Sequence, residues 1–452
     1  MRQNLKAIIR KLDFTQSEET LDANVKAAVA VIDKGSYDFS NYTKQLFTRN
    51  GKKRQIYTFE ALSVENILCH YLKSEIDNAF HVKYASRSKI IHLLFNSLPT
   101  IKDMNDFVII RADFKDFFNS ILTKHVFDEY IRDSVISRAD KDILGQYVSV
   151  FEYCYAGLCL SNEMAEIVCR DFDRLIKARL EKYGVFFYER YVDDMFIMLK
   201  SYMSKDEFLQ VTDAVIREVF GRCPVHLSME PDKFSFITCR ELQQSATTIS
   251  AGTATEKLTF LGYEFFIDCA GSEPHSISFR YGISEKKRER YRHLIEPAFL
   301  DYVRYGNEEL LRQRIKLFSA RVVISRSLGN NRVEWLTNGI TANYGELRYH
   351  IDELDSATEA YLKTLFTDIL SERGVSTPYY LTTVGDQNSV YNLYSNLTRN
   401  RSIVFDKKIG VQRQDLVRWI RKIDPTYSDD NKQYYRIVME YFELLKTNST
   451  TP

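Results

Sequence analysis

The chain has 452 residues, 44% hydrophobic and 27% charged, and its 62 Lys and Arg nearly cancel its 61 Asp and Glu, leaving a formal net charge of +1. That is enough chain for two or three domains, and the composition reads as soluble and globular; basic surface can be local, so neutrality does not exclude a nucleic-acid partner. No apolar run approaches the roughly 20 residues of a membrane span, and seven scattered Cys without a Cys-x-x-Cys argue against disulfide or zinc frameworks and for a reducing cytoplasm.

Residues 1–45 read as helical, and the opening segment looks like an amphipathic helix without a signal-peptide core. Residues 46–60 read as a hairpin turning at Asn50-Gly51, with Lys52, Lys53 and Arg54 at its tip. Helical patterns run from about 62 to 98. An apolar strand, Phe107 to Ile110, then leads into Asp113. Ser161 suits a helix N-cap, and Met164, Ile167, Val168, Phe172, Leu175 and Ile176 form one apolar stripe behind it. Val185 to Tyr188 and Met195 to Leu199 read as strands joined at Asp193-Asp194. Residues 225–268 alternate strand-like runs with polar turns. From Ser284 amphipathic helical patterns dominate, which places a boundary near 275–285.

Adjacent carboxylates between buried strands repel each other. A divalent cation removes that cost, because Mg²⁺ takes carboxylate oxygens together with substrate phosphates. Asp113, at the end of an apolar strand, is the candidate for a further carboxylate of a two-metal site; Asp116 falls in the following turn and is less suited.

The run Asp113-Phe114-Lys115-Asp116-Phe117-Phe118-Asn119-Ser120-Ile121, followed by Tyr191-Val192-Asp193-Asp194, resembles motifs A and C of reverse transcriptases. The resemblance covers roughly residues 45–270. It implies an α+β right-hand polymerase, with a helical extension at 1–45, fingers and palm at 46–280, and a mostly α-helical, thumb-like domain at 281–452. Asp113, Asp193 and Asp194 would be the catalytic acids and would bind Mg²⁺, with Mn²⁺ as a substitute. Lys233, in a motif D-like run, would be a proton donor near the leaving pyrophosphate. Lys53 and Arg54 would meet the triphosphate, and Phe114, Phe118, Gly157 and Tyr191 would surround the nucleotide. The Phe118 ring would exclude a 2′-hydroxyl and so select dNTPs. Phe260-Leu261-Gly262 matches the primer grip, and the basic residues from Lys286 to Arg326 would grip backbone phosphates.

One motif departs from the pattern. Where reverse transcriptases usually carry Pro-Gln-Gly-x-x-x-Ser, this chain has Tyr155-Ala156-Gly157 and then Ser161. The missing Gln puts ordinary template-directed copying in question without touching the acids. A compact polymerase with a helical region behind it is similar to the bacterial defence-associated and abortive-infection reverse transcriptases. That group implies antiphage defence, an RNA partner (typically a non-coding template), a DNA product, and in some members a homo-oligomer or partner protein. Four alternatives stay open: untemplated or protein-primed synthesis, with Tyr379, Tyr380, Tyr391 and Tyr394 as candidate primers; a mobile-element enzyme of group II intron type; an inactive RNA-binding scaffold; and an RNA-dependent RNA polymerase.

Overall fold

The computed structural model describes residues 2–13, 16–49, 52–248, 253–271, 276–329, 332–382 and 390–446. It mixes α and β structure in two compact units, one comprising Met1–Gln244 with Leu328–Asn331 and the other Ser245–Ser327 with Arg332–Pro452. Among the described residues no helix is long and apolar enough to cross a membrane.

The first unit opens with helices Arg2–Leu12 and Glu18–Asp33, the second capped by Ser17, whose hydroxyl accepts from the Thr20 amide. An antiparallel hairpin follows, β1 (Thr43–Arg49) on β2 (Lys52–Thr58); its expected turn, Asn50-Gly51, lies outside the described residues. Helices Val64–Phe80 and Arg87–Ser97 lead to a four-stranded antiparallel sheet. Its strands are β3 (Val108–Asp113), β4 (Val185–Tyr191), β5 (Asp194–Leu199) and β6 (Ser235–Thr238), in the order β4-β5-β3-β6.

Every residue of β3 is buried, as expected of a central strand covered on both faces. Long helices Cys159–Leu180 and Lys205–Phe220 belong to the same core. The Phe114 ring stacks on Phe117 at 5.2 Å and meets Phe172 at 5.2 Å and Phe220 at 5.9 Å. Each such buried ring contributes about 1.5–3 kcal/mol, so the end of β3 is fixed by what lies beneath it.

The second unit begins with an antiparallel meander, β7 (Thr253–Phe260), β8 (Tyr263–Ala270) and β9 (Ile277–Ile283). Leu261 and Gly262 form the β7–β8 turn at φ 49° and 83°, and a Cβ on Gly262 would lie 2.9 Å from the Tyr344 hydroxyl. Gly is therefore required there for both conformation and space. β9 enters helix Glu285–Tyr305 and is tied to helix Ser356–Ser371, whose Thr358 hydroxyl accepts from the Ile283 amide at 3.0 Å. That tie explains why the compact division falls at Gln244, ahead of the change in sequence character near 275–285: the meander carrying Phe260-Leu261-Gly262 folds with the helices that follow it.

The region after Ser284 is not helical throughout. A three-stranded sheet forms from β10 (Arg321–Gly329), β11 (Arg332–Asn338) and β12 (Ser402–Phe405), in the order β11-β10-β12 with β10 parallel to β12. Helices Arg413–Ile423 and Tyr434–Leu445 share a core with it, including Val322, Phe405, Ile420 and Tyr441.

Candidate active site

β3 and β5 run antiparallel with Asp113 directly opposite Asp194. The β4–β5 hairpin closes at the same end, where Tyr191 pairs with Asp194 and Val192-Asp193 form a two-residue turn. Val192 takes φ 60°, a left-handed conformation that β-branched residues avoid and whose strain is typical of functional sites. The Phe114 amide donates to the Asp193 carbonyl at 3.1 Å, and the Ser228 amide to the Asp113 carbonyl at 2.7 Å. The backbone thus brings the three acids to one sheet end.

Two cations of the chain lie on these carboxylates. Lys233 Nζ donates to Asp113 Oδ2 at 2.6 Å. Arg111 reaches Asp194 Oδ1 from Nε at 2.9 Å and from Nη2 at 2.8 Å, with Asp113 Oδ2 at 3.8 Å; its Nη1 donates to the Asp232 carbonyl. Even so, burial holds the Asp113 carboxyl above its ordinary range, opposed by Lys233 and aided by the Asp193 charge. Burial likewise pushes Asp194 up to about 7; Arg111 opposes this, and the Asp113 and Asp193 charges add to it. The acids remain short of positive charge.

The donor set decides whether these residues fit a divalent cation. It is carboxylate oxygen alone, at one strand end, under mutual repulsion. Among the described residues no group of three or more His, Cys, Asp or Glu side chains is gathered closely enough to hold a metal by itself. Mg²⁺ commonly takes one or two carboxylates and completes its shell with water and substrate phosphates, so the set fits it.

The other expected residues are distributed unevenly. Tyr191 is the last residue of β4, half-buried beside the turn. Phe118 is half-buried against Phe117 at 5.4 Å. The Phe114 ring differs from the expectation, since it is 1% exposed and enclosed by aromatic rings; only its backbone amide serves the acid site. Gly157 takes φ 99°, and a Cβ there would lie 2.5 Å from the Tyr57 carbonyl oxygen. Its local reason is close approach to β2, reinforced by the Tyr57 amide donating to the Ala156 carbonyl at 2.9 Å. Lys53 and Arg54 lie in β2 by backbone, but their side chains fall outside the described residues. Ser161 is not an N-cap: the helix starts at Cys159 after Leu158, and the Ser161 hydroxyl donates back to the Tyr155 carbonyl at 2.7 Å. Tyr155, at the position where reverse transcriptases usually carry Pro, stacks on Tyr57 at 4.2 Å.

Several basic residues expected to meet phosphates are engaged within the second unit. Arg288 donates to the Ile283 carbonyl at 2.6 Å and to Glu264. Arg314 binds Asp301 and the Leu445 and Lys446 carbonyls at 2.8–2.9 Å.

The sequence also carries a signal for Arg111. Residues 111 and 113 lie two apart on a strand and so share a face; a charge inside an apolar strand, on the same face as a candidate metal ligand, marks a counter-ion.

No family model matches the chain, and no curated protein matches it. Among solved structures it is similar to apo telomerase from Candida tropicalis truncated from its C-terminal domain, at 13% identity and a TM-score of 0.32, covering 56% of this chain and 59% of that one. It is also similar to telomerase from Candida tropicalis in complex with a TWJ fragment of telomeric RNA, at 11% identity and a TM-score of 0.35, covering 93% of this chain and 67% of that one. The corresponding Candida albicans complex gives 11% identity and 0.35, covering 88% and 64%. This chain thus spans under two thirds of the first of these structures, and likeness at these TM-scores carries no argument about its activity.

Proposed function

We propose that the chain is an RNA-directed DNA polymerase that transfers nucleotidyl groups from dNTPs at Asp113, Asp193 and Asp194, with fingers and palm at 46–280. The observation that carries this reading is the pairing of Asp113 with Asp194 across β3 and β5, with Asp193 in the strained turn beside them. Asp113 and Asp193, with Asp194, would hold Mg²⁺, which when bound lowers the pKa of the attacking 3′-hydroxyl and takes up developing phosphoryl charge. Lys233 donates to Asp113 and would be the proton donor to a leaving group held there. Arg111 orients Asp194 through two nitrogens. Phe118 would select against a 2′-hydroxyl. The same reading takes a dedicated non-coding RNA as template and antiphage defence as the biological role; support for both is the motif resemblance alone.

A second reading, untemplated or protein-primed synthesis at the same acids, is favoured by one observation. The segment that departs from the reverse-transcriptase pattern is filled by an aromatic pair, Tyr155 stacked on Tyr57. Of the four tyrosines considered as primers, Tyr379 is 83% exposed. Tyr380 and Tyr391 meet at 4.9 Å under the Arg312 guanidinium, and Lys363 covers Tyr394.

One assay tests both readings. Purified protein with Mg²⁺ is given each labelled dNTP or rNTP, with and without RNase pretreatment, beside Asp193→Ala and Phe118→Ala. The polymerase reading predicts dNTP incorporation lost in Asp193→Ala, and rNTP use gained in Phe118→Ala. Sensitivity to RNase supports an RNA template; label on the protein itself after RNase supports the second reading. No incorporation under any condition contradicts both.

A further inference from the structure

A second charged cluster stands behind the acid turn. Arg190, near the end of β4, is 5% exposed at its side chain. Its guanidinium donates to Asp173 from Nε at 2.9 Å and Nη2 at 3.0 Å, and to Glu166 from Nη1 at 3.0 Å and Nη2 at 2.7 Å. Glu166 and Asp173 lie seven residues apart on helix Cys159–Leu180 and so share one of its faces. Tyr188, on the same strand, also donates to Asp173, at 2.7 Å.

The remaining bond explains the cluster. Arg190 Nη1 donates to the Val192 carbonyl at 2.8 Å, and Val192 is the residue held at φ 60°. One guanidinium therefore joins two helix carboxylates to the carbonyl of a strained turn. Only a planar fork of five donors can do this; a lysine ammonium is a point charge that cannot span the same acceptors.

We propose that Arg190 is a positioning residue that fixes the Val192-Asp193 turn to helix Cys159–Leu180, so that the Asp193 carboxylate is held in place through the helix face carrying Glu166 and Asp173. The mechanical part stands on geometry alone; the consequence for nucleotidyl transfer rests on the polymerase reading above. Without the link, the turn relaxes away from φ 60° and Asp193 moves while the rest of the sheet stays paired. An arginine that served only general stability would loosen the whole unit.

The test uses the full chain as wild type, Arg190→Lys, Arg190→Gln and Glu166→Gln. Amide hydrogen exchange is followed in peptides covering residues 188–196 and in peptides from helix Cys159–Leu180, with Tm recorded in parallel. The link predicts that Arg190→Lys keeps a near-native Tm while the turn amides exchange about tenfold faster or more, a local opening. Glu166→Gln, which leaves Asp173 in place, gives a smaller change of the same kind and keeps the test decisive where Arg190→Gln fails to fold. In dNTP incorporation Arg190→Lys lowers kcat about a hundredfold, the scale of a misplaced reacting group, with little change in KM. Unchanged turn exchange in Arg190→Lys, or acceleration spread evenly through the unit in step with Tm, overturns the link. If the wild type incorporates no nucleotide, the polymerase reading fails and hydrogen exchange alone decides the role of Arg190.

Discussion

Two sets of paired carboxylates, one in each unit, are treated in opposite ways. In the second unit Asp268 is held below its ordinary range, chiefly by its bonds to Arg280. Glu440, although burial acts to raise it, is drawn down to about 2 by the combined bonds from Lys432, Tyr427 and Arg436. At the β3–β5 end of the first unit, Asp113 is raised and Asp194 is pushed up to about 7, although Arg111 and Lys233 both lie on them. Acids that serve structure receive enough positive charge to stay ionised. On the reading proposed above, acids left short of it at a strained turn are kept for a charge that arrives from outside.

The largest expected effect comes from deepening that shortage. Arg111→Met leaves Asp194 and Asp113 buried with less compensation, and its loss of stability in urea unfolding should reach about 3–5 kcal/mol, the cost of breaking a buried ion pair. A near-neutral result would mean that the acids already have enough charge.

The pH dependence is next in size. Asp194 has a folded pKa above its unfolded value, so the folded state holds the proton more tightly and ionisation is unfavourable to folding. Its penalty is absent below the unfolded pKa and grows as pH rises through about 7. Metal-free protein should lose about 2–4 kcal/mol between roughly pH 4 and 7 from the coupled Asp113–Asp194 pair. Asp194→Asn, or added Mg²⁺, should flatten that slope. Asp268 has the opposite sign: its contribution is present above the unfolded pKa and fades as pH falls through the depressed folded value.

A control from the second unit sharpens the contrast. Arg314→Met removes bonds to Asp301 and two backbone carbonyls and should cost about 2–3 kcal/mol in the same unfolding measurement. Unlike Arg111→Met, it should leave Mn²⁺ affinity unchanged. The smallest effect is at the turn. Val192→Gly relieves the φ 60° strain and should stabilise the chain by up to about 1 kcal/mol, because the relief is partly offset by the backbone entropy of Gly; destabilisation would mean that the Val side chain is needed for packing.

Much of this site was legible from chemistry-bearing residues close in sequence. Asp113 at the end of an apolar run and the acids between two apolar runs locate the strands β3, β4 and β5, because short apolar runs and turn chemistry are local properties. Lys233 came from a motif, and its contact with Asp113 depends on β6 lying beside β3, a pairing that joins segments more than a hundred residues apart. The Phe114 ring differs from the expectation because a residue next to one whose side chain faces the acid cluster points to the opposite face, here into Phe117, Phe172 and Phe220. Arg111 and Arg190 escaped notice because an arginine within a strand shows its partners only once the strands and helix are assembled. The sheet β11-β10-β12 was hidden for a similar reason: β12 has four residues and pairs in parallel with a strand some eighty residues earlier, so no hairpin signal announces it. Helix Cys159–Leu180 was recognised, but Ser161 was assigned to its cap because a hydroxyl that bonds back to Tyr155 has the same sequence signature as one that caps.

The most direct test of the central claim is Mn²⁺ binding, measured by electron paramagnetic resonance at pH 7.5 on wild type and on Asp113→Asn/Asp193→Asn. The account predicts that wild type binds Mn²⁺ and that the double variant loses this binding while keeping its fold by circular dichroism. Equal binding by the two proteins, or none by wild type even with a dNTP present, would contradict the claim that these acids are held for a cation.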